Sequence, residues 1–513
     1  MYRILSFLIL FALTGCNPPE VYSWNESDWD EWAAEIFAPP DDKKVLLIFI
    51  DGLIPAAIEI SATPNIDALL LDSAWSMTGR AESTTISGAG WSSFLTGVHW
   101  DKHQVPDNDF ANPNFTDYPH IFTQLKADFP DSIVGGCQTW QPIESGMVLP
   151  AEPDFNAFHN YYDYSDDYWD EASADTLCAQ EVVNFAGESN IHMLVMMFSE
   201  LDGVGHQSGF GAEYSTYQAM LQKTDTEIGQ IVDTIKARPN YSDEDWLVIL
   251  STDHSGEPEL HHGANIPEHR LIPFIMNGPS VMGGEIWPPP QTVDIVATAL
   301  AHLGAYPVAG TDGVSVGFES TSPPTAKLGE NLIFNGDAEY ERGYLGYESA
   351  PDASLPGWHD PGFFTVVQYN SPGGYPGDGD PGPNERGLNF FAGGWATTDT
   401  YATWDIEVSN LAGAIDGGAR WTLSGWLGGY LDQEDRATVT AIFLDDSGDI
   451  LNSNTIGPVT ASDRSYLTGL LERTSTGSVP AGTRQIQVRV DAVRETGYND
   501  GYADNLSLII TEE

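Results

Sequence analysis

Three apolar runs, each leading into an aspartate, constrain this chain more than any other feature. Val45-Leu-Leu-Ile-Phe-Ile50 runs into Asp51-Gly52; His192-Met-Leu-Val-Met-Met-Phe198 is followed by Ser-Glu-Leu-Asp202; Trp246-Leu-Val-Ile-Leu250 leads to Ser-Thr-Asp253. Apolar runs of this length without alternation are strands buried on both faces, as in a parallel sheet. Thr63 to Leu71, with proline after the capping threonine, and Asp117 to Phe129, Ala212 to Arg238 and Thr292 to Leu303 read as helices, Ser132 to Val134 as a short strand and Leu271 to Met276 as a further strand. The pattern predicts an α/β domain with a mostly parallel central sheet flanked by helices. Ligands bind such sheets at the carboxyl ends of the strands. One strand-ending aspartate is ordinarily a turn or helix cap, but three at equivalent strand ends should converge in one crevice.

Histidines follow two of these aspartates, at His206 and His254, and the doublet His261-His262 precedes Gly263. Three carboxylates together repel unless cations neutralise them, and carboxylate with imidazole is a ligand set for zinc or a related divalent ion. Ser87 opens Ser87-Gly-Ala-Gly-Trp91-Ser-Ser-Phe-Leu-Thr96, a glycine-rich turn entering a helical pattern. Backbone N–H groups there favour an oxyanion or phosphate. A serine oxygen becomes a nucleophile at neutral pH only beside a base or a metal.

Taken in order, Ile-Asp51-Gly, Ser87-Gly-Ala-Gly-Trp-Ser-Ser-Phe-Leu-Thr-Gly-Val, Asp202-Gly-Val-Gly-His206, Ser-Thr-Asp253-His254 and His262-Gly263 resemble the alkaline phosphatase superfamily, and within it the type I phosphodiesterase/nucleotide pyrophosphatase branch. The resemblance spans roughly Lys44 to Val316. It implies two divalent metal ions, zinc by preference. Asp202, His206 and His262 would hold one ion; Asp51, Asp253 and His254 would hold the other, with Ser87 as nucleophile completing its shell. His261 remains an alternative to His262. The implied reaction is hydrolysis of a phosphate ester through a phosphoseryl intermediate, on a small-molecule or glycan-linked substrate.

The chain departs from the family's pattern in places. Nucleotide pyrophosphatases usually carry threonine as nucleophile and asparagine three residues on, where this chain has Ser87 and Gly90. Asn108 is the residue expected to hold a phosphate oxygen instead. Ser255 replaces the glycine usual after Asp-His. A sulfatase of the same fold would need arginine where Trp91 stands. A dianionic phosphomonoester would find few cations to meet it. The alternatives are therefore a phosphomonoesterase or sulfatase-like hydrolase, or an inactive carbohydrate-binding surface lipoprotein.

Composition bears on partners and place. Lys+Arg 20 against Asp+Glu 75 gives a formal net charge of -55, which opposes nucleic-acid binding because phosphate contacts need cations. Arg3, the apolar run Ile4 to Ala12 and Leu13-Thr14-Gly15-Cys16 have the order of a bacterial lipoprotein signal over residues 1–16, with Cys16 as the lipidated residue. The run is too short to span a bilayer. The expected place is the cell envelope, as an outer-membrane or periplasm-facing lipoprotein attached only through its N-terminal lipid. Residues 17–43 read as a tether and leading segment, and 44–317 as the catalytic domain. The Tyr-, Trp- and Asp-dense stretch from Glu152 to Asp175 reads as a wall near the site or as surface loops. Cys137 and Cys178 either pair or stay as thiols.

After a linker at 318–329 the pattern changes. Arg420-Trp-Thr-Leu-Ser, Thr438-Val-Thr-Ala-Ile-Phe and Gln485-Ile-Gln-Val-Arg-Val alternate at period two between Gly/Pro/Asp turns, which predicts an all-β sandwich over 330–513. Asn331-Leu-Ile-Phe-Asn335-Gly-Asp-Ala-Glu339, Pro356-Gly-Trp358 and Asn499-Asp-Gly-Tyr-Ala-Asp504-Asn505 resemble galactose-binding-like jelly rolls. That likeness implies carbohydrate as a ligand, with exposed aromatics as stacking faces; an Asp/Gly-rich loop is a candidate for a structural calcium ion. Aromatics filling the sandwich core are the competing explanation.

Overall fold

The computed structural model describes residues 39–513 apart from 152–153, 156–157, 163–172, 189, 259, 265–266, 320–321, 341–342, 344–354, 356, 361–363, 396–397 and 513. The expected signal peptide with Cys16, the expected tether as far as residue 38 and the centre of the aromatic stretch at 163–172 lie outside the described residues.

The first part is an eight-stranded sheet of β1 (Lys43–Ile50), β2 (Ala74–Arg80), β3 (Val134–Gln138), β4 (Phe158–Tyr161), β5 (Met193–Phe198), β6 (Asp245–Ser251), β7 (Leu271–Asn277) and β8 (Gly284–Glu285), in the order β4-β3-β5-β1-β6-β7-β2-β8. Strands β4, β3, β5, β1 and β6 are parallel, whereas β7 runs antiparallel to both β6 and β2. The mostly parallel sheet is thus as the apolar runs predict. Val45 to Ile50 are wholly buried because helices cover both faces of the sheet. The long Ser215–Lys236 helix packs on one face and Asp294–His302 on the other.

Two sequence expectations shift. The strand expected at Ser132 to Val134 runs instead from Val134 to Gln138; Gly135 and Gly136 hide it, since glycine gives no β-propensity signal. The helix expected from Asp117 covers only Ile121–Asp128, because His120 ends the preceding loop and its Nδ1 accepts the Phe122 N–H at 3.1 Å. Cys137 and Cys178 form a disulfide between β3 and the Ala174–Glu188 helix.

The second part is all antiparallel. One sheet has the order β15 (Gly469–Ser478), β12 (Arg420–Gly429), β17 (Asn499–Thr511), β10 (Asn389–Gly394), β9 (Thr365–Gln368). The other is β11 (Thr400–Glu407), β16 (Gln485–Val493), β13 (Arg436–Leu444), β14 (Ile450–Ile456). Inward residues of both sheets share one core, with Leu423 and Leu508 meeting Val439, Phe443 and Val488. Trp358, Trp404 and Trp421 are buried in that core, while Trp395 is 44 % exposed, so packing explains the first three and not the last. In the Asp/Gly-rich loop before β10, the Arg386 guanidinium donates to the carbonyls of Gly377, Asp380 and Pro383. Trp287 of the first part packs edge-on against Phe334 of the second at 4.3 Å between centroids.

Candidate metal and nucleophile site

Strand order brings the three aspartates together. β1 lies between β5 and β6, so Asp51 at its end has Asp253 on one side and, beyond β5, Asp202 on the other. The Glu200–Ser208 segment is a helix, which sets Asp202 and His206 one turn apart on one face. The sequence, with two glycines in this segment, did not announce it.

Among the described residues, two groups of side chains come within metal-sharing reach: Asp202, His206 and His262, and Asp51, Asp202 and His254. Asp202 therefore belongs to both. Asp253 faces the second group, its Oδ2 3.2 Å from His254 Nε2, and Asp51 Oδ1 is 3.6 Å from the same nitrogen. His206 Nε2 and His262 Nε2 are 3.0 Å apart, and Asp202 Oδ2 is 3.4 Å from the former. Of the histidine doublet, it is His262 that enters the cluster.

The donor set fits divalent cations on two independent observations. First, Asp51 Oδ1, Asp202 Oδ1 and Asp253 Oδ2 are buried and have no hydrogen-bond partner, a costly arrangement unless something else meets them. Second, each imidazole is set by a backbone carbonyl at Nδ1: Ser255 O for His254 at 3.0 Å, Thr85 O for His262 at 2.8 Å, and Leu260 O for His206 at 3.1 Å. With Nδ1–H donated outward, the Nε2 lone pairs face the carboxylates, which is how metal-ligating histidines are held.

Electrostatics agrees. Burial, then the neighbouring Asp253 and Asp202 charges, push the Asp51 carboxyl well above its usual range. Burial and Asp202 raise Asp253 to about 8, and burial raises Asp202 to about 7. Burial and the adjacent His262 hold His254 well below the ordinary imidazole range, and burial lowers His262 to about 4. Without a cation these acids hold their protons more tightly, and His254 and His262 theirs less tightly, than the free groups do.

Ser87 is the first residue of the fully buried Ser87–Thr96 helix. Its Oγ lies 3.3 Å from His254 Nε2. Glycine at 90 permits this approach: a Cβ there would sit 2.7 Å from Asp253 Cβ and 2.8 Å from Asp253 O. The same contact explains why no asparagine side chain stands at 90. Asn108 reaches the helix start from another loop, its Oδ1 accepting the Gly88 N–H at 2.8 Å. A Cβ at 88 would lie 2.2 Å from Asp107 O, so glycine is needed there too.

Sequence reasoning missed the groups that orient the ligands. Trp91 donates its indole N–H to Asp51 Oδ2 at 3.0 Å. Thr252 Oγ1 donates to Asp253 Oδ1 at 3.1 Å. Thr85 supplies the carbonyl for His262, and its hydroxyl accepts the Gly263 N–H at 2.9 Å. A tryptophan one turn after Ser87, among small residues, was the one visible signal.

Several solved structures resemble the chain. Ps i-CgsB in complex with k-i-k-neocarrahexaose is 17 % identical, with a TM-score of 0.42 over 54 % of this chain and 75 % of that one. BT1596, a 2-O GAG sulfatase, is 11 % identical at a TM-score of 0.44 over 71 % and 82 %. Murine ectonucleotide pyrophosphatase/phosphodiesterase 5, as an inactive form in complex with AMP, is 11 % identical at 0.41 over 52 % and 96 %. No curated protein sequence matches the chain. Residues 45–297 match the family model described as type I phosphodiesterase / nucleotide pyrophosphatase. With their strand-end aspartates and paired histidines, residues 45–297 therefore form a domain of that type, a metal-dependent hydrolase of the alkaline phosphatase superfamily.

Proposed function

We propose that this protein is a phosphodiesterase that acts through a phosphoseryl intermediate at a two-cation site. The observation that carries the reading is the position of Ser87 Oγ, 3.3 Å from His254 Nε2 and beside three carboxylates whose inward oxygens lack partners. Asp202, His206 and His262 would hold one ion; Asp51, Asp253 and His254 would hold the other, with Ser87 beside it. Zinc suits this mixed oxygen and nitrogen set. When bound, such ions supply Lewis acidity, lowering the pKa of a nearby hydroxyl or water and offsetting charge on phosphoryl oxygens.

The chain's own groups do the rest. Ser87 Oγ gives up its proton to solvent water and attacks phosphorus; the new O–P bond forms as the bond to the leaving oxygen breaks in line, and the leaving oxygen takes a proton from solvent to depart as the alcohol. Asn108, with its carbonyl fixed on Gly88 N–H, keeps its –NH2 to donate to a non-bridging oxygen. Water oxygen then bonds to phosphorus as the Ser87 Oγ–P bond breaks, and a proton of that water returns to Ser87 Oγ, releasing the phosphate monoester. Trp91 occupies the place a sulfatase would give to arginine, and its indole is committed to Asp51. That commitment favours a phosphate ester over a sulfate ester. A singly charged diester also suits a chain with so few cations.

We place the protein in the cell envelope, anchored by lipid at Cys16; Cys16→Ser should move it from the membrane to the soluble fraction. The exposed Trp395, 5.5 Å from Tyr498 and edge-on to it, is the stacking face we assign to a carbohydrate ligand.

Turnover of bis(p-nitrophenyl) phosphate by the zinc-loaded protein tests the main reading. Failure to hydrolyse it, and monoester and sulfate analogues alike, would overturn an enzymatic role.

A further inference from the structure

The Ser87–Thr96 helix carries a second group at the site besides Ser87. Trp91 is completely buried, with its ring centroid 5.4 Å from Phe49 of β1 and 5.7 Å from Phe94. The indole N–H can only donate, and it donates to Asp51 Oδ2 at 3.0 Å. The other oxygen, Oδ1, is buried with no partner and lies 3.6 Å from His254 Nε2. One carboxylate oxygen is thus tied to the protein while the other faces the cluster.

We infer that Trp91 is a positioning residue that clamps the Asp51 carboxylate for cation binding and locks it to the helix bearing Ser87. The inference rests on the proposed cation site. Three points support it. Positions 87 and 91 are one turn apart on one helix, so their side chains share a face, and a single rigid element sets both the nucleophile and a ligand. The clamp is a neutral donor: an arginine or lysine here would neutralise Asp51 and compete with a metal ion, whereas an indole fixes direction and leaves the charge in place. Finally, the ring is immobilised by aromatic packing, so its N–H direction does not depend on solvent.

The test is zinc binding by full-length chain freed of metal with a chelator. Trp91→Phe keeps an aromatic ring but removes the N–H. Calorimetric titration should show one of two zinc equivalents weakened by about 10–100-fold, the usual cost of losing a group that orients a metal ligand, with the other little changed. Loss of turnover should shrink as zinc is raised. Replacing Trp91 by 3-benzothienylalanine, which keeps the shape and lacks the N–H, should weaken the same equivalent and serves where the phenylalanine variant unfolds. Parent-like zinc affinity in the benzothienyl protein would overturn the inference, even if its melting temperature fell. Asp51→Asn separates this result from failure of the site itself. If it too binds two zinc ions with parent affinity, the cation site is wrong; if it loses one while the Trp91 variants do not, only the clamp is wrong.

Discussion

Both parts of the molecule bury aspartates, yet their surroundings differ. In the β-sandwich, Asp504 accepts from Tyr369 Oη and from the Asn505 N–H, each at 2.7 Å. Asp435 accepts from the backbone of Glu495 and Asp500, and Asp500 accepts from Tyr502 Oη. In the α/β domain, Asp51, Asp202 and Asp253 each keep one buried oxygen with no partner. Burial raises Asp504 and Asp51 alike far above the ordinary carboxyl range, so displaced acidity does not distinguish them. What separates a structural acid from a site acid here is whether the protein supplies its own donors.

The largest expected effect falls on Ser87. Ser87→Ala should lower diester turnover by at least about 10³-fold while two zinc equivalents still bind. Undiminished turnover in that variant would remove the serine from its role.

Next is a paired substitution across the two domains. Asp202→Asn should cut bound zinc, measured by elemental analysis, because this residue reaches both groups, and it should leave the metal-free fold intact. Asp504→Ala should do the reverse. It should leave zinc content unchanged and cost about 1–3 kcal/mol in denaturant unfolding, the cost of stranding buried donors. Equal zinc loss in both variants would erase the distinction.

A pH series sharpens the same contrast. In the folded metal-free chain Asp202 and Asp253 hold protons up to about 7 and about 8, against a reference near 3.8. Between these values the folded state binds more protons than the unfolded one, so these groups make stability fall as pH rises through that window. Zinc should flatten the fall, seen as a growing gap in melting temperature between loaded and metal-free protein from pH 5 to pH 8. A constant gap would argue against cations on these carboxylates.

The smallest effect is expected at Asn108. Its replacement by alanine should reduce kcat/KM by about tenfold, one hydrogen bond to a charged oxygen, with zinc binding unchanged. A loss as large as that of Ser87→Ala would instead point to collapse of the Gly88 turn.

Much of this was legible before any coordinates. The apolar runs predicted β1, β5 and β6 to within two residues of their ends, because burial on both faces leaves a continuous local signature. Period-two alternation likewise marked β12, β13 and β16. Glycine-rich segments misled. Gly135 and Gly136 concealed β3, and Gly203 and Gly205 concealed the helix carrying Asp202 and His206, since glycine removes the propensity signal that tertiary packing then overrides.

The amino-acid sequence by itself determined which residue types stand at the strand ends and that the strands beside them are buried, for those are matters of local composition and period. Only the tertiary structure decided that Asp202 is shared by both groups, that His262 and not His261 enters the cluster, that Cys137 and Cys178 join, and that Trp91 holds Asp51. These depend on sheet order and on how closely one backbone approaches another, as Gly90 does Asp253. Contacts between residues far apart along the chain leave no periodic trace in the sequence that makes them.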